Sequence, residues 1–227
     1  MKIAFYIVGL AVFALLVPFF LPSTPPASTD HPNQNLPWQI TVDAQGHSTV
    51  FGLTPSRSTL ADVRQQLGED MEIAIVAAPG EVGEVEAYYS QVSLGFVMGR
   101  VIFTLDATPA TITAMRDRAL KAEHMESSTK KISLHPDDLA KANALPIRAI
   151  GLIPSANLDE ATVLQRFGAP KERITVGETL THFLYPNLGL DVVLDTKGKE
   201  VLQYVAPKDF ETRIRAPLLA TQAKPQP

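Results

Sequence analysis

One segment occurs twice in this chain of 227 residues, and the duplication narrows the possible folds more than any other property. It reads FGLTPSRSTLADVRQQLG at residues 51–68 and IGLIPSANLDEATVLQRFG at residues 150–168, with one extra residue in the second copy. Each copy holds capping residues, a short amphipathic stretch and a final glycine of the kind that follows a helix C-terminus. We therefore predict two copies of one packing unit rather than two active sites.

The N-termini of the two predicted helices follow from the residue types. In the first copy, Ser58 or Thr59 has the kind of side chain that caps a helix. In the second copy, Asn157 and Glu160 have the spacing of a capping box. The sequence therefore predicts a capped helix in each copy, ended by glycine.

Candidate strands follow each helix at matching intervals. They are residues 71–76, 85–92, 96–98 and 101–105 in the first copy, and 173–176, 179–185, 190–194 and 201–205 in the second. A helix followed by short antiparallel strands is an α+β unit. We predict an α+β fold in which two tandem helix-plus-antiparallel-meander repeats form one joined sheet, preceded by one N-terminal transmembrane helix.

This interpretation divides the chain into six segments. They are a transmembrane anchor (1–21), a Pro-rich tether (22–37), a first repeat (38–107), a helical connector (108–145), a second repeat (146–210) and a flexible tail (211–227). The connector is predicted from Thr108 and Pro109, which suit a helix start, and from apolar residues at helical spacing after them.

The N-terminal stretch, residues 3–21, contains nineteen residues without a charge. A helix of that length, at about 1.5 Å per residue, nearly spans the hydrocarbon core of a bilayer. Lys2 precedes it and no Lys or Arg follows until Arg57, so the positive-inside rule places the N-terminus in the cytoplasm. We predict a single-pass protein of the bacterial inner membrane with a periplasmic C-terminal domain. The alternative is a cleaved signal peptide, but its best cleavage site, Ala27, has Pro25 two residues before it.

Both copies share one pattern. It consists of a glycine, a capped helix that ends in glycine, and a later aromatic residue before Leu-Gly. The residues are Gly52, Gly68 and Tyr89, and then Gly151, Gly168 and Tyr185. This pattern resembles the SmpA/OmlA family of small outer-membrane lipoproteins, to which BamE belongs, and two tandem units resemble the β-lactamase inhibitory protein fold. The whole chain is also similar to membrane-anchored proteobacterial proteins.

The resemblance implies two helix-plus-sheet units joined into one sheet with a concave face, and a role in the cell envelope. One departure from the lipoprotein family is clear, because those proteins are anchored through an acylated cysteine and this chain has no cysteine. We expect the N-terminal helix to replace that anchor.

Several classes of chemistry are excluded or unsupported. The absence of cysteine excludes disulfides, thiolate metal sites and a cysteine nucleophile, and the net charge of −4 does not favour nucleic acid as a partner. The five histidines have no metal-binding spacing. Ser127 and Lys130 match S-x-x-K, but the partner motifs of penicillin-binding enzymes are missing, so we interpret this segment as a polar turn. We predict no enzyme activity, no metal and no cofactor.

The candidate site is one side of the predicted sheet. Strand alternation places Glu84, Glu86 and Tyr88 together, and alignment of the two copies makes His182 the counterpart of Tyr88. We predict an open face that binds a partner through these four residues; the alternative is an ordinary solvated face. His182 and Asp191 are expected to form a cross-strand polar pair rather than a catalytic base.

These observations lead to a functional hypothesis. We predict a non-enzymatic, inner-membrane-anchored periplasmic module that binds an unknown envelope protein or assists envelope assembly. One alternative is an inhibitor or regulator of a periplasmic enzyme, by analogy of fold alone. The other is a small-ligand or lipid-binding domain.

Overall fold

The computed structural model describes residues 34–125 and 129–222. Within them the strands are β1 (Thr41–Val42), β2 (Ser48–Thr49), β3 (Glu72–Ala77), β4 (Glu84–Leu94), β5 (Val97–Leu105), β6 (Lys121–His124), β7 (Lys130–Ser133), β8 (Ile147–Pro154), β9 (Glu172–Val176), β10 (Leu180–Tyr185), β11 (Leu190–Asp195) and β12 (Val201–Val205). The α-helices are α1 (Leu60–Leu67), α2 (Pro109–Asp117), α3 (Pro136–Ala144), α4 (Glu160–Phe167) and α5 (Ala216–Gln222). A π-helical turn, Glu211–Arg215, runs directly into α5.

Ten of these strands form one antiparallel sheet in the order β6-β7-β3-β4-β5-β8-β12-β11-β10-β9. The pairing of β5 with β8 lies at the middle and connects the strands that follow α1 with those that follow α4. Its register places Ile102 opposite Gly151 and Phe103 opposite Ile150. The short strands β1 and β2 form a separate two-stranded ribbon.

The main core lies between the sheet and helices α1 to α4, on the side that we call the helix face. It includes Leu60 and Val63 of α1, Ile112 and Met115 of α2, Ala142 of α3 and Val163 of α4. Alternate strand residues such as Phe183 and Tyr185 belong to the same core. Because successive side chains of a strand point to opposite sides, Leu184 between them lies on what we call the opposite face.

The opposite face is also apolar over much of its area. One cluster consists of Tyr88, Ile102, Ile153, Val193 and Val201. A second consists of Ile174, Leu184, Val205, Phe210, Ile214 and Leu218. The last three residues come from the C-terminal helical segment, which therefore packs on the opposite face beside β9 and β10.

The predicted fold class was wrong. We expected an α+β protein built from two repeats and a membrane helix, whereas a single ten-stranded antiparallel sheet dominates and its helices have seven to nine residues. The predicted helical connector supplies two of the strands, β6 and β7. These strands carry charged residues and little apolar alternation, so the pairing of β7 with β3 and of β6 with β7, rather than local pattern, makes them extended.

The prediction of a single-pass inner-membrane protein with a periplasmic body is contradicted. No helix within residues 34–125 and 129–222 is both long enough and apolar enough to cross a bilayer. The stretch on which the prediction rested, residues 1–21, lies outside the described residues, as does residue 127 of the S-x-x-K motif.

Two local predictions also differ from the structure. The segment expected to be a flexible tail is helical over Glu211–Arg215 and Ala216–Gln222, because Ile214 and Leu218 bury apolar side chains against the sheet. The N-cap of α4 is Asp159 rather than Asn157: its carboxylate accepts a hydrogen bond from the Thr162 amide, at 2.8 Å.

Candidate functional site

Three of the four predicted partner-binding residues lie together on the opposite face of β4. Glu86 has Ala74 and Thr104 as its cross-strand neighbours. Tyr88 lies one row further along the strand, and Glu84 one row before. Tyr88 is only 7% exposed and Glu86 8%, so they do not form the open surface that we expected.

The fourth residue, His182, is remote from the other three. It lies on β10, and four strands, β5, β8, β12 and β11, separate β10 from β4. Its Nδ1 is 2.8 Å from Asp191 Oδ2, and His182 is 2% exposed. The expected polar pair is therefore present, buried in the sheet rather than displayed to a partner.

Glu84 belongs to a charged network. Arg148 Nη2 lies 2.6 Å from Glu84 Oε2. Burial raises the pKa of Glu84, and the charges of Arg148 and Arg213 oppose that rise. Burial also lowers the pKa of Arg213, with a further contribution from nearby Arg148. Glu84 is thus paired with a residue of the chain itself.

Glu86 has a different environment. Its Oε2 is buried and has no hydrogen-bond partner among the described residues. Burial, and secondarily the charge of Glu84, raise the pKa of Glu86 to about 8, while Arg148 lowers it. Such a carboxyl is mostly protonated at neutral pH, a state that is unusual for glutamate.

A small cleft opens beside Glu86 on the opposite face. Its lining residues are Glu72, Ala74, Val76, Glu86, Tyr88, Met125 and Lys131. The cleft has a volume of about 50 Å³, enough for a few water molecules or a small polar head group. Lys131 Nζ lies 2.5 Å from Glu72 Oε1, so these two charges neutralise each other.

A second candidate site, which we call the aromatic–arginine patch, consists of Trp38, Phe96 and Arg166. The rings of Trp38 and Phe96 have their centroids 5.8 Å apart, and the Arg166 guanidinium lies 4.4 Å from the centroid of the Trp38 ring. Phe96 is 57% exposed at the tip of the β4–β5 hairpin, where Gly95 has a φ of 61°. A cation within about 6 Å of an aromatic ring is attracted by the ring's quadrupole.

Two hydrogen bonds, one between backbone groups and one between side chains, support the segments around this hairpin tip. The Ser155 amide donates to the Met98 carbonyl at 2.8 Å, which ties β5 to the segment after β8. Lys199 Nζ donates to Asn157 Oδ1 at 2.9 Å and connects the β11–β12 hairpin to the same segment. The patch therefore rests on supported backbone rather than on an isolated loop.

The sequence analysis did not identify the aromatic–arginine patch. A signal was present, because Phe96 occupies a hairpin turn where polar or glycine residues are usual. Trp38 and Arg166 lie far from Phe96 in the sequence, so no local pattern connects the three residues. Tertiary folding alone brings them together.

The described part of the chain contains no group of three or more His, Asp or Glu side chains that could hold a metal ion. No protein-family model matches the chain, and neither a curated protein nor a solved structure matches it. The resemblance to the SmpA/OmlA family therefore stays a prediction.

Proposed function

We propose that this chain is a non-enzymatic protein-binding module, and that the aromatic–arginine patch is its contact surface. The observation that carries the proposal is the partly exposed cluster of Trp38, Phe96 and Arg166 on supported backbone. Trp, Tyr and Arg are the residue types that most often dominate binding energy at protein interfaces.

The physical argument rests on the low cost of ordering this patch. Trp38 and Phe96 already contact each other, and Arg166 is already held over the Trp38 ring. A partner would therefore fix few additional side-chain rotamers on binding, which reduces the entropic cost of association. The exposed ring of Phe96 offers apolar area that a pocket on the partner would remove from water.

The test is photo-crosslinking of the full chain in its own cells, with a photoreactive phenylalanine analogue in place of Phe96. We expect a discrete protein adduct. The matched control places the same analogue at Leu120, which is 63% exposed and follows α2, outside the patch. No adduct with that partner is expected at Leu120.

A second measurement determines whether the patch itself provides the binding energy. Arg166→Glu and Trp38→Ala are each expected to weaken binding of the crosslinked partner by about thirtyfold, the effect of losing about 2 kcal/mol at an interface. Thermal unfolding of each variant shows whether the fold is intact. The proposal fails if position 96 gives no adduct, if both positions give the same adducts, or if folded variants bind as well as the native chain.

A further inference from the structure

The cleft on the opposite face contains a polar group that the aromatic–arginine patch does not use. Glu86 lines this cleft and is 8% exposed, and its Oε2 has no hydrogen-bond partner in the described part of the chain. A buried polar atom without a partner lowers the stability of the fold, and more so when it is charged. A ligand that donates a hydrogen bond to this oxygen would remove that loss of stability.

Among the described residues, the other charged side chains that line the cleft form an ion pair, and so does Glu84, the next carboxylate on the same side of β4. Lys131 pairs with Glu72 at 2.5 Å, and Arg148 pairs with Glu84 at 2.6 Å. Glu86 has no ion-pair partner of its own among the described residues, so its ionisation adds a negative charge that no ion pair within the cleft offsets. The complementary ligand group is a single positive charge that carries hydrogen-bond donors.

The cleft walls define the rest of the ligand. Ala74, Val76 and Met125 are apolar, and Tyr88 contributes an aromatic ring. A cleft of about 50 Å³ has room for a compact head group and little more. An ammonium group is compact, has three donors and is carried on methylenes, whereas a guanidinium is a larger planar group.

We propose that this cleft binds a primary alkylammonium group, which donates to Glu86 while its methylenes contact Ala74, Val76 and the Tyr88 ring. Two sources share this chemistry, the side chain of a lysine in another protein and a free aliphatic amine. The inference goes beyond the protein-binding function proposed above and does not depend on it, because the two sites use different residues.

Binding must depend on pH in a defined way. Burial and the charge of Glu84 raise the pKa of Glu86 to about 8, opposed by Arg148, and the Glu72–Lys131 pair lies beside it in the cleft. Since the ammonium favours the ionised carboxylate, binding at pH 7 releases a proton. Affinity therefore rises between pH 6 and pH 9 and falls near pH ~10, where alkylamines lose their charge.

The experiment titrates the full chain with n-butylammonium chloride and follows the side-chain carboxyl carbons of glutamate by NMR. The expected result is a fall in the pKa of Glu86 when the amine is present. Glu86→Gln should bind n-butylammonium at least about tenfold more weakly. Glu200→Gln is the matched control, because Glu200 is also a glutamate at 8% exposure and lies on the β12 side of the sheet. This variant should bind n-butylammonium as the native chain does.

Control ligands show whether the positive charge is required and whether the ligand is a lysine side chain or a free amine. n-Butanol, which has the same apolar chain without the charge, should leave the pKa of Glu86 unchanged. Equal affinity for a blocked lysine amide and n-butylammonium supports a lysine side chain, whereas binding of n-butylammonium alone supports a free amine. The proposal is overturned if the amine does not move the Glu86 signal at pH 8, or if folded Glu86→Gln binds the amine like the native chain.

Discussion

At the scale of single residues, the environment of Glu86 differs strongly from that of a surface carboxylate. Its neighbours in adjacent strands are Ala74 and Thr104, and Glu84 lies on the same side of its own strand. Burial raises its pKa from 4.5 to about 8. The folded state therefore holds a proton that the unfolded chain releases, over the whole interval between these two values.

This proton linkage predicts how stability changes with pH. A carboxyl whose pKa is raised by folding contributes stability below pH 4.5, and that contribution is lost as pH rises to about 8. We expect Glu86→Gln to remove this loss, so that the variant becomes more stable than the native chain at pH 8, by on the order of a few kcal/mol. Urea unfolding at pH 4, 6 and 8 measures the difference.

The measurement at pH 4 is the internal control, because the glutamate is then mostly neutral in both states and resembles glutamine. The two proteins should have similar free energies of unfolding there. Equal stability at pH 8 as well would contradict the proposed environment of Glu86.

At the scale of secondary-structure elements, the same hydrogen bond ties both duplicated helices to the sheet. The Tyr89 hydroxyl of β4 donates to the Gly68 carbonyl at the end of α1, at 2.5 Å. The Tyr185 hydroxyl of β10 donates to the Gly168 carbonyl at the end of α4, at 2.9 Å. Carbonyls at a helix C-terminus have no partner within the helix, so each tyrosine satisfies one of them.

Removing either hydroxyl should have nearly the same effect in the two halves of the chain. We expect Tyr89→Phe and Tyr185→Phe each to lower the free energy of unfolding by about 1 kcal/mol, the net value of one such bond. Five strand-to-strand steps, about 24 Å in all, separate β4 from β10. The loss in free energy of unfolding of the double variant should therefore equal the sum of the losses of the two single variants. Chemical denaturation of the three variants provides the values.

The two single variants are controls for each other, because each removes one hydroxyl from one helix attachment and leaves the other intact. A loss at one tyrosine several times that at the other, or a clearly non-additive double variant, would contradict the equivalence of the two helix attachments.

At the scale of the whole molecule, the pairing of β5 with β8 decides whether the chain behaves as one unit. Seven residue pairs join these two strands in the middle of the ten-stranded sheet. Their contact is close at Gly99, where an added Cβ would lie 2.6 Å from the Ile153 carbonyl oxygen and 2.8 Å from Leu152 Cδ1. The junction therefore tolerates no side chain at this position without movement of backbone.

A continuous sheet predicts cooperative unfolding. Urea unfolding followed by the fluorescence of Trp38, the single tryptophan of the chain, should coincide with unfolding followed by far-ultraviolet circular dichroism. Gly99→Ala should move both curves together to lower urea concentration. Two separate transitions in the native chain would mean that the two halves of the sheet fold independently.

Much of the local structure could be read from residue order. Helices α1 and α4 end where glycine follows an amphipathic stretch, and the strand predictions located β4, β10, β11 and β12 to within a few residues, whereas β5 is one strand where two were predicted. These features depend on backbone preference and on the period of apolar side chains, both of which are properties of neighbouring residues. The same alternation placed Glu84, Glu86 and Tyr88 on one side of β4.

Long-range packing determined the features that the local sequence did not predict. Alternation indicates which side of a strand a residue occupies but not how deeply that side is buried, so Tyr88 and His182 were expected at the surface and lie in the interior. Strands β6 and β7 are extended because of pairing that their own residues do not specify. The patch of Trp38, Phe96 and Arg166 forms where three distant segments meet, since contact between side chains depends on distance in space rather than separation along the chain.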